Sequence, residues 1–490
     1  MQQLSPMDAA FLYLENESTN AHGTFVWIYD ASDCEPSAVS RGALLEHMAG
    51  RVGVSPIFTR KVYRLPLDFD YPYWVDDEGF ELLYHVRELS MPDNGEWRDF
   101  CELVGQTHSR PLDRDHPLWE LTLVTGLTGL EGLPVNCFAI LGKFHHVAID
   151  GATGMHIIEQ IHDGSSPSHE QIEKSVPPAR APGLRESLFR AAVRNIGALD
   201  KSLELLGAKP TPDFGAEDDT PPAPEVTPEP RSPSNEPPGI PQTLFNRAVS
   251  GNSTWDARSY DLNSIKAMRQ AVKGATVNDV LLTIVAGGLR EYLESQGELP
   301  DSPMKAGCPV NIRTDEEAGA GGNVISAMVV NMHTDVAQPL KRLAAITRSS
   351  GAAKARASER GSRKVLDIMS VVPAQAQAAL GHAVGAVARK LGRAAVFNCS
   401  VSNLPGPQQE LTMLGGRLVN IGAAMPVMNG FGLFIGLTTC AGKLTISLSS
   451  CDGVTSDIDV LGDCMDTSFN ELNAAASAKA KRARRPRKTA

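Results

Sequence analysis

The run AKPTPDFGAEDDTPPAPEVTPEPRSPSNEPPGIP, from Ala208 to Pro241, constrains the fold of this chain more than any other stretch. Proline fixes φ and removes a backbone donor, so neither a helix nor a sheet interior can run through such a sequence. Acids and small residues stand where large apolar side chains would be needed for burial. The segment is therefore expected to be an extended, solvated, disordered connector. It divides the chain into two halves of similar size, residues 1–207 and 242–478, followed by a short tail, 479–490. A chain of 490 residues is too long for one ordinary core, and two domains accommodate it.

Both halves mix strands with helices. In the first, Gly23–Asp30, Leu118–Leu127 and Val135–Phe144 read as strands, and Val135–Phe144 is so continuously apolar that both of its faces should be covered. Helical spacing marks Arg41–Met48, Gly95–Arg110 and Arg185–Leu206. In the second, Ala275–Ser295 is a strong helix with Thr276 as cap and Asp279 in its first turn. Ser326–Val336 reads as a strand, Pro339–Ser358 as a helix, and Val396–Pro407 as a strand ending in a loop. Gly430–Ser450 reads as a hairpin turned at Ala441, Gly442 and Lys443. Hairpins among helices favour a mixed α/β class over a strictly doubly wound sheet.

The net charge of −11 argues against nucleic acid as a partner. The exception is the tail AKAKRARRPRKTA, read either as a solvated end or as a segment drawn to anionic headgroups. Eight cysteines are scattered without a C-x-x-C pair or a metal-ligand spacing. Together with the absence of a secretory signal, this suggests free thiols in a reducing cytoplasm and no metal or cofactor. No run of about 20 apolar residues is present, so no membrane span is expected, while peripheral contact stays open.

The chemistry concentrates in KFHHVAIDGATG, Lys143 to Gly154, at a strand–turn–helix junction. A histidine at a strand end is held by the strand behind it and titrates near neutrality. Neighbours on a strand point to opposite faces, so only one of His145 and His146 can enter a given cleft. Asp150 either orients that histidine or belongs to the loop, where Asp-Gly is a common turn pair and can cap the helix that follows. His22, His85, His108, His116 and His333 lack a supporting constellation and read as surface or core residues.

HHVAIDG resembles the HHxxxDG signature of the CoA-dependent acyltransferases, which include chloramphenicol acetyltransferase, the plant acyltransferases and the condensation domains of peptide synthetases. Further segments are similar, in order, to the bacterial wax ester synthase/acyl-CoA:diacylglycerol acyltransferase family. They are LSPMDAAFLYLE (Leu4–Glu15), RPLDRDHPLWE (Arg110–Glu120), TVNDVLL (Thr276–Leu282), CPVNIR (Cys308–Arg313), GGNVISAMVVNMHTDV (Gly321–Val336) and VSNLPGP (Val401–Pro407). The chain departs from the family pattern at Leu404, at Cys308–Asn311 and around Met425–Asn429, and the last of these bears on acceptor choice.

The resemblance implies two chloramphenicol-acetyltransferase-like domains with an active-site tunnel between them. It implies an O-acyltransferase that moves a long-chain acyl group from acyl-CoA to diacylglycerol, to a long-chain alcohol, or to both. His146 would be the general base and His145 its buried neighbour. Asp150 would either orient His146 or stiffen the loop by pairing with an arginine, for which Arg313 is the candidate. Gly151 would keep the CoA passage open or merely start a helix. Asn278, Ser402 and Asn403 are candidate oxyanion donors, although Asn278 and Asp279 can also serve only the helix N-terminus, and Ser402-Asn403 only a turn. Pro117, Leu118 and Trp119 would border the acyl channel, with plain core as the alternative for Trp119. Acyl-CoA is then a substrate, and the expected setting is cytoplasmic, peripheral to the inner membrane or lipid inclusions. The competing readings are a condensation-type enzyme with another thioester donor and a catalytically silent lipid-surface protein.

Overall fold

Three features of the sequence place the main elements: an apolar run, a capping box and a two-residue turn. The apolar run becomes strand β7 (Asn136–His145), which is buried along nearly its whole length between β2 (His22–Asp30) and β6 (Trp119–Thr128). The capping box starts helix α8 (Val277–Ser295). Thr276 Oγ1 accepts from the Asp279 N–H at 3.2 Å, and Asp279 Oδ2 accepts from the Thr276 N–H at 2.8 Å. The turn joins β14 (Phe434–Cys440) to β15 (Lys443–Cys451) through Ala441 and Gly442, both with positive φ, +47° and +77°. That conformation matches the twist of the flanking strands.

These elements belong to a computed structural model that describes residues 2–149, 151–163, 179–183, 185–194, 240–311, 325–358, 372–379, 397–407 and 409–484. The connector up to residue 239 and the tail beyond residue 484 lie outside the described residues. The class is the expected mixed α/β.

The first six-stranded sheet has the order β12-β13-β2-β7-β6-β5, where β5 is Val86–Ser90, β12 is Thr412–Met413 and β13 is Gly416–Ala424. All of its pairings are antiparallel except β5 with β6. The second has the order β10-β9-β11-β14-β15-β8, with β8 at Ser253–Asp261, β9 at Lys305–Asn311, β10 at Ile325–Asn331 and β11 at Cys399–Leu404. A small sheet, β1-β4-β3, lies beside the first, with β1 at Gln2–Gln3, β3 at Arg60–Tyr63 and β4 at Tyr73–Asp76.

The helices pack on these sheets. In chain order they are α1 (Pro6–Leu14), α2 (Arg41–Ala49), α3 (Leu82–His85), α4 (Trp97–Ser109), α5 (Gly151–Ile161), α6 (residues 185–194) and α7 (Leu262–Met268). They continue with α8, α9 (Pro339–Ser358), α10 (residues 374–379) and α11 (Ile458–Arg484). Helix α11 continues through residues 479–484, the first part of the basic tail, and Lys479 Nζ donates to the Ala271 carbonyl at 2.7 Å.

Among the contacts between the halves is a strand exchange. Strands β12 and β13 come from the second half of the sequence but complete the first sheet, with Arg417 paired to Asp30 and Ala424 to Thr24. A polar seam then ties β13 to the second sheet. Ser447 and Ser449 of β15 accept from the N–H groups of Ala423 and Met425 at 3.1 and 3.0 Å. Asn420 donates to Ser259 at 2.8 Å and accepts from Thr445 at 2.7 Å. These buried groups find partners only when both sheets are present, so the seam specifies how the halves dock.

Candidate functional site

The two histidines end β7, and the backbone on either side of them is tied down. The His145 N–H donates to the Leu118 carbonyl at 3.1 Å and the His146 N–H to the Ala21 carbonyl at 2.9 Å. The chain then turns, with the Ala148 N–H donating to the His145 carbonyl at 2.9 Å, and enters α5 at Gly151.

The His145 ring is buried, 1% exposed. Its Nδ1 accepts from the Val147 N–H at 3.0 Å, so its proton sits on Nε2, which lies 3.3 Å from Glu15 Oε1. Glu15 itself is enclosed by donors. The Ala21 N–H reaches Oε1 at 2.8 Å, and the Arg114 guanidinium reaches Oε2 through Nε at 3.1 Å and also through Nη2. Burial works against the charge of Glu15, but His145, the Ala21 N–H and Arg114 outweigh it and hold the carboxyl down at about 2. His145 thus has a fixed tautomer and a permanent counter-charge, which suits a strut.

His146 is half-buried and stacks on Phe11 of α1, with ring centroids 5.2 Å apart and planes at 26°. Burial, assisted by the neighbouring His145, lowers its pKa to about 4, and a hydrogen bond with the Ile149 backbone opposes the shift. The ring is therefore neutral at physiological pH and carries a lone pair able to take a proton.

Two histidines remote in sequence surround this end of the sheet. His22 pairs with His145 across β2 and β7, and its Nε2 donates to the His108 carbonyl at 2.7 Å. His108, at the end of α4, has Nδ1 2.9 Å from Thr24 Oγ1, and a hydrogen bond joins it to the Met425 backbone. Burial pushes His22 well below its ordinary value, and burial with Lys143 pushes His108 down to about 3. Both are core residues, one of the two readings the sequence left open. Lys143, buried beneath them, donates to the Arg110 carbonyl at 2.9 Å and lies 3.6 Å from Glu120. Its burial lowers it to about 8, against the pull of Glu120.

The other sequence candidates divide. Leu118 joins Leu4, Leu12 and Val147 in a cluster that bridges α1 to the histidine turn, and Pro117 is buried beside it. Trp119 is buried, donates from Nε1 to the Phe58 carbonyl at 3.0 Å and stacks on His85 with centroids 4.4 Å apart. Asp279 spends its carboxylate oxygens as acceptors for the α8 cap and for Ser350 Oγ of α9. Asn278, half-buried in the first turn of α8, does carry donors. Ser402, half-buried, and Asn403, exposed, end β11 before a loop pinned by Gly406, whose N–H donates to Thr439 Oγ1 at 3.1 Å. Gly151 is the first residue of α5. Asp150 and Arg313 lie outside the described residues. Among the described residues, no group of three or more His, Cys, Asp or Glu side chains is arranged to hold a metal.

Phe11, Glu15, Arg114, His22 and His108 were not singled out from the sequence as parts of the site. The signals available were the opening LSPMDAAFLYLE, which contains Phe11 and Glu15, and RPLDRDHPLWE, which contains Arg114, but neither shows where they pack.

Comparison with known proteins supplies the family. Residues 4–281 match the family model "Wax ester synthase/diacylglycerol acyltransferase catalytic domain", and residues 321–473 match "WS/DGAT C-terminal domain". A putative diacylglycerol O-acyltransferase of Mycobacterium tuberculosis (strain ATCC 25618 / H37Rv) is 30% identical over 484 residues, covering 96% of this chain and 99% of its own length. The O-acyltransferase WSD of Acinetobacter baylyi is 29% identical over 457 residues, 92% of each chain. Among solved structures, the wax ester synthase/diacylglycerol acyltransferase of Marinobacter aquaeolei VT8 superposes with a TM-score of 0.66. It covers 97% of this chain and all of its own at 22% identity, a likeness of fold.

Proposed function

The chain belongs to the wax ester synthase/diacylglycerol acyltransferase family, and from that premise we propose how its site works. The protein is an O-acyltransferase that moves an acyl group from acyl-CoA to diacylglycerol or a long-chain alcohol. The observation that carries the mechanism is the contrast within the histidine pair. His145 is locked against Glu15, while His146 is neutral, half-buried and set against Phe11.

His146 takes the proton of the acceptor hydroxyl as its oxygen attacks the thioester carbonyl. The tetrahedral oxyanion is met by neutral donors, for which Asn278, Ser402 and Asn403 are the candidates. As the C–S bond breaks, the imidazolium returns the proton to the departing CoA thiolate. The proton balance closes on one residue, so no covalent acyl-enzyme is required. Asp150 stiffens the turn after β7, with Arg313 as its proposed partner. The two halves form lobes on either side of the acyl path, joined by the exchanged strand β13.

Acceptor and product are both water-insoluble, so the reaction belongs at a lipid surface, either a membrane or a neutral-lipid inclusion. Among the described residues, no helix is long and apolar enough to cross a membrane. The test is CoA release from palmitoyl-CoA with diacylglycerol or hexadecanol, using the wild type and His146→Ala. Release that needs the acceptor and disappears in the variant supports the reading. Full turnover in His146→Ala would exclude His146 as the base.

A further inference from the structure

Helix α6 has its polarity reversed. Ser187, Ala191 and Arg194, spaced four and three residues apart, form its inner face. Ser187 and Ala191 are buried, and Arg194 pairs with Asp70 and lies over the Tyr71 ring, 4.6 Å from its centroid. The face opposite, normally polar on a surface helix, carries Leu188, Phe189 and Val193 at 51%, 70% and 54% exposed. A second apolar tip stands close by. Leu67 is 91% exposed and holds φ at +58°, a left-handed conformation uncommon for leucine. It precedes by three residues the Asp70 that anchors Arg194.

The charges on this segment are mostly positive, although Arg190 pairs with Glu186 at 2.9 Å and Arg194 with Asp70. Residues 179–194 contain Arg180, Arg185, Arg190 and Arg194 against a single acid, Glu186, in a chain whose net charge is −11. Apolar side chains pointing outward amid arginines are the composition of a helix that lies in a membrane interface. The basic rim complements anionic headgroups. The face is also coupled to the site. Tyr13 of α1 packs with Tyr71 under Arg64, while Phe11 of the same helix stacks on His146.

We propose that α6 and the Leu67 turn dock the enzyme on an anionic lipid surface. Leu188, Phe189, Val193 and Leu67 enter the acyl layer, and Arg180, Arg185 and Arg190 sit at headgroup depth. Helix α1 then links the docking face to the base, because Tyr13 packs with Tyr71 beside the α6 anchor and Phe11 stacks on His146. The inference rests on the acceptor being a lipid, as proposed above.

The test uses the full chain and a Leu188→Ser/Phe189→Ser/Val193→Ser variant, with Leu67→Gly as a second variant that keeps the turn. Flotation is measured with vesicles of phosphatidylcholine alone and of phosphatidylcholine mixed equally with phosphatidylglycerol. The wild type floats with the mixed vesicles and more weakly with the neutral ones. The triple variant loses about tenfold or more of its bound fraction and of its turnover of vesicle-borne diolein. Its turnover of dissolved hexanoyl-CoA with hexanol stays within about twofold, as expected of surface residues away from the site.

Flotation equal to the wild type, or an equal loss on dissolved substrates, overturns the proposal. A wild-type dimer that becomes monomeric in the variant with flotation unchanged assigns the face to a second copy and overturns it too. A wild type that floats but releases no CoA from any substrate supports the docking face and removes the acyltransfer reading instead.

Discussion

Strands β7 and β11 are both inner strands of six-stranded sheets, and both run out into loops with polar side chains, yet their ends are built differently. The end of β7 is enclosed by ionisable groups. Glu15, Arg114, Lys143, His22 and His108 are all within its network, and each ring or head group has an assigned partner. The end of β11 carries only the neutral Ser402 and Asn403, and what is rigid there is the backbone. A Cβ on Gly406 would lie 1.5 Å from the Thr439 carbonyl oxygen, so the loop is pressed directly onto β14. Moving a proton needs a titrating group whose tautomer and charge state are set by its surroundings, whereas stabilising an oxyanion needs dipoles held still. In the mechanism proposed above, the end of β7 serves the former and the end of β11 the latter.

The sharpest way to break this comparison is His146→Ala beside a Ser402→Ala/Asn403→Ala pair. The histidine variant should lose ~10²–10⁴ in kcat with its melting temperature unchanged. The β11 pair should lose less, and equal losses would erase the distinction between proton-handling and dipolar ends. Next is Glu15→Gln. It leaves Arg114 and the buried His145 without their anion, an imbalance that costs on the order of 3 kcal/mol in a buried pair. Both Tm and kcat should fall, and a variant of wild-type stability would show that the strut role is wrong.

Gly406→Ala tests the other end. Forcing a methyl group against Thr439 should destabilise by about 1–3 kcal/mol, read as a lowered denaturant midpoint. Dependence on pH separates stability from catalysis. His146 and His108 have folded pKa values of about 4 and about 3, below the ordinary 6.5. The unfolded chain therefore binds protons first, and stability falls as pH drops from about 6.5 towards 4. Circular dichroism melts across that window should decline while kcat/KM of the still-folded protein holds. A stability curve flat over the same range would contradict the buried, neutral assignment. The smallest effect is Thr276→Ala, which removes one half of the α8 capping box and should cost about 1 kcal/mol.

Much of this was legible along the chain. Continuous apolarity marked β7, the Thr276–Asp279 spacing marked the start of α8, and Ala441-Gly442 marked the hairpin, because each depends on residues close in sequence. Strand alternation separated His145 from His146 before any partner was known. What stayed hidden were contacts between distant segments. His108 meets Thr24 across 84 positions, and the ladder from Arg417–Asp30 to Ala424–Thr24 joins opposite ends of the chain. Neither leaves a local pattern, because a histidine in a core and a histidine on a surface look alike in a sequence.

The sequence by itself determined the class, several main elements such as β7, α8 and the β14–β15 hairpin, the family and the identity of the histidine pair, since periodicity, capping and ordered motifs are properties of the chain as written. The tertiary structure alone decided that Glu15 faces His145, that Phe11 covers His146, that β13 completes the first sheet and that α6 turns its apolar face outward. Those facts depend on which desolvated groups find partners, and burial and pairing exist only once the segments have come together.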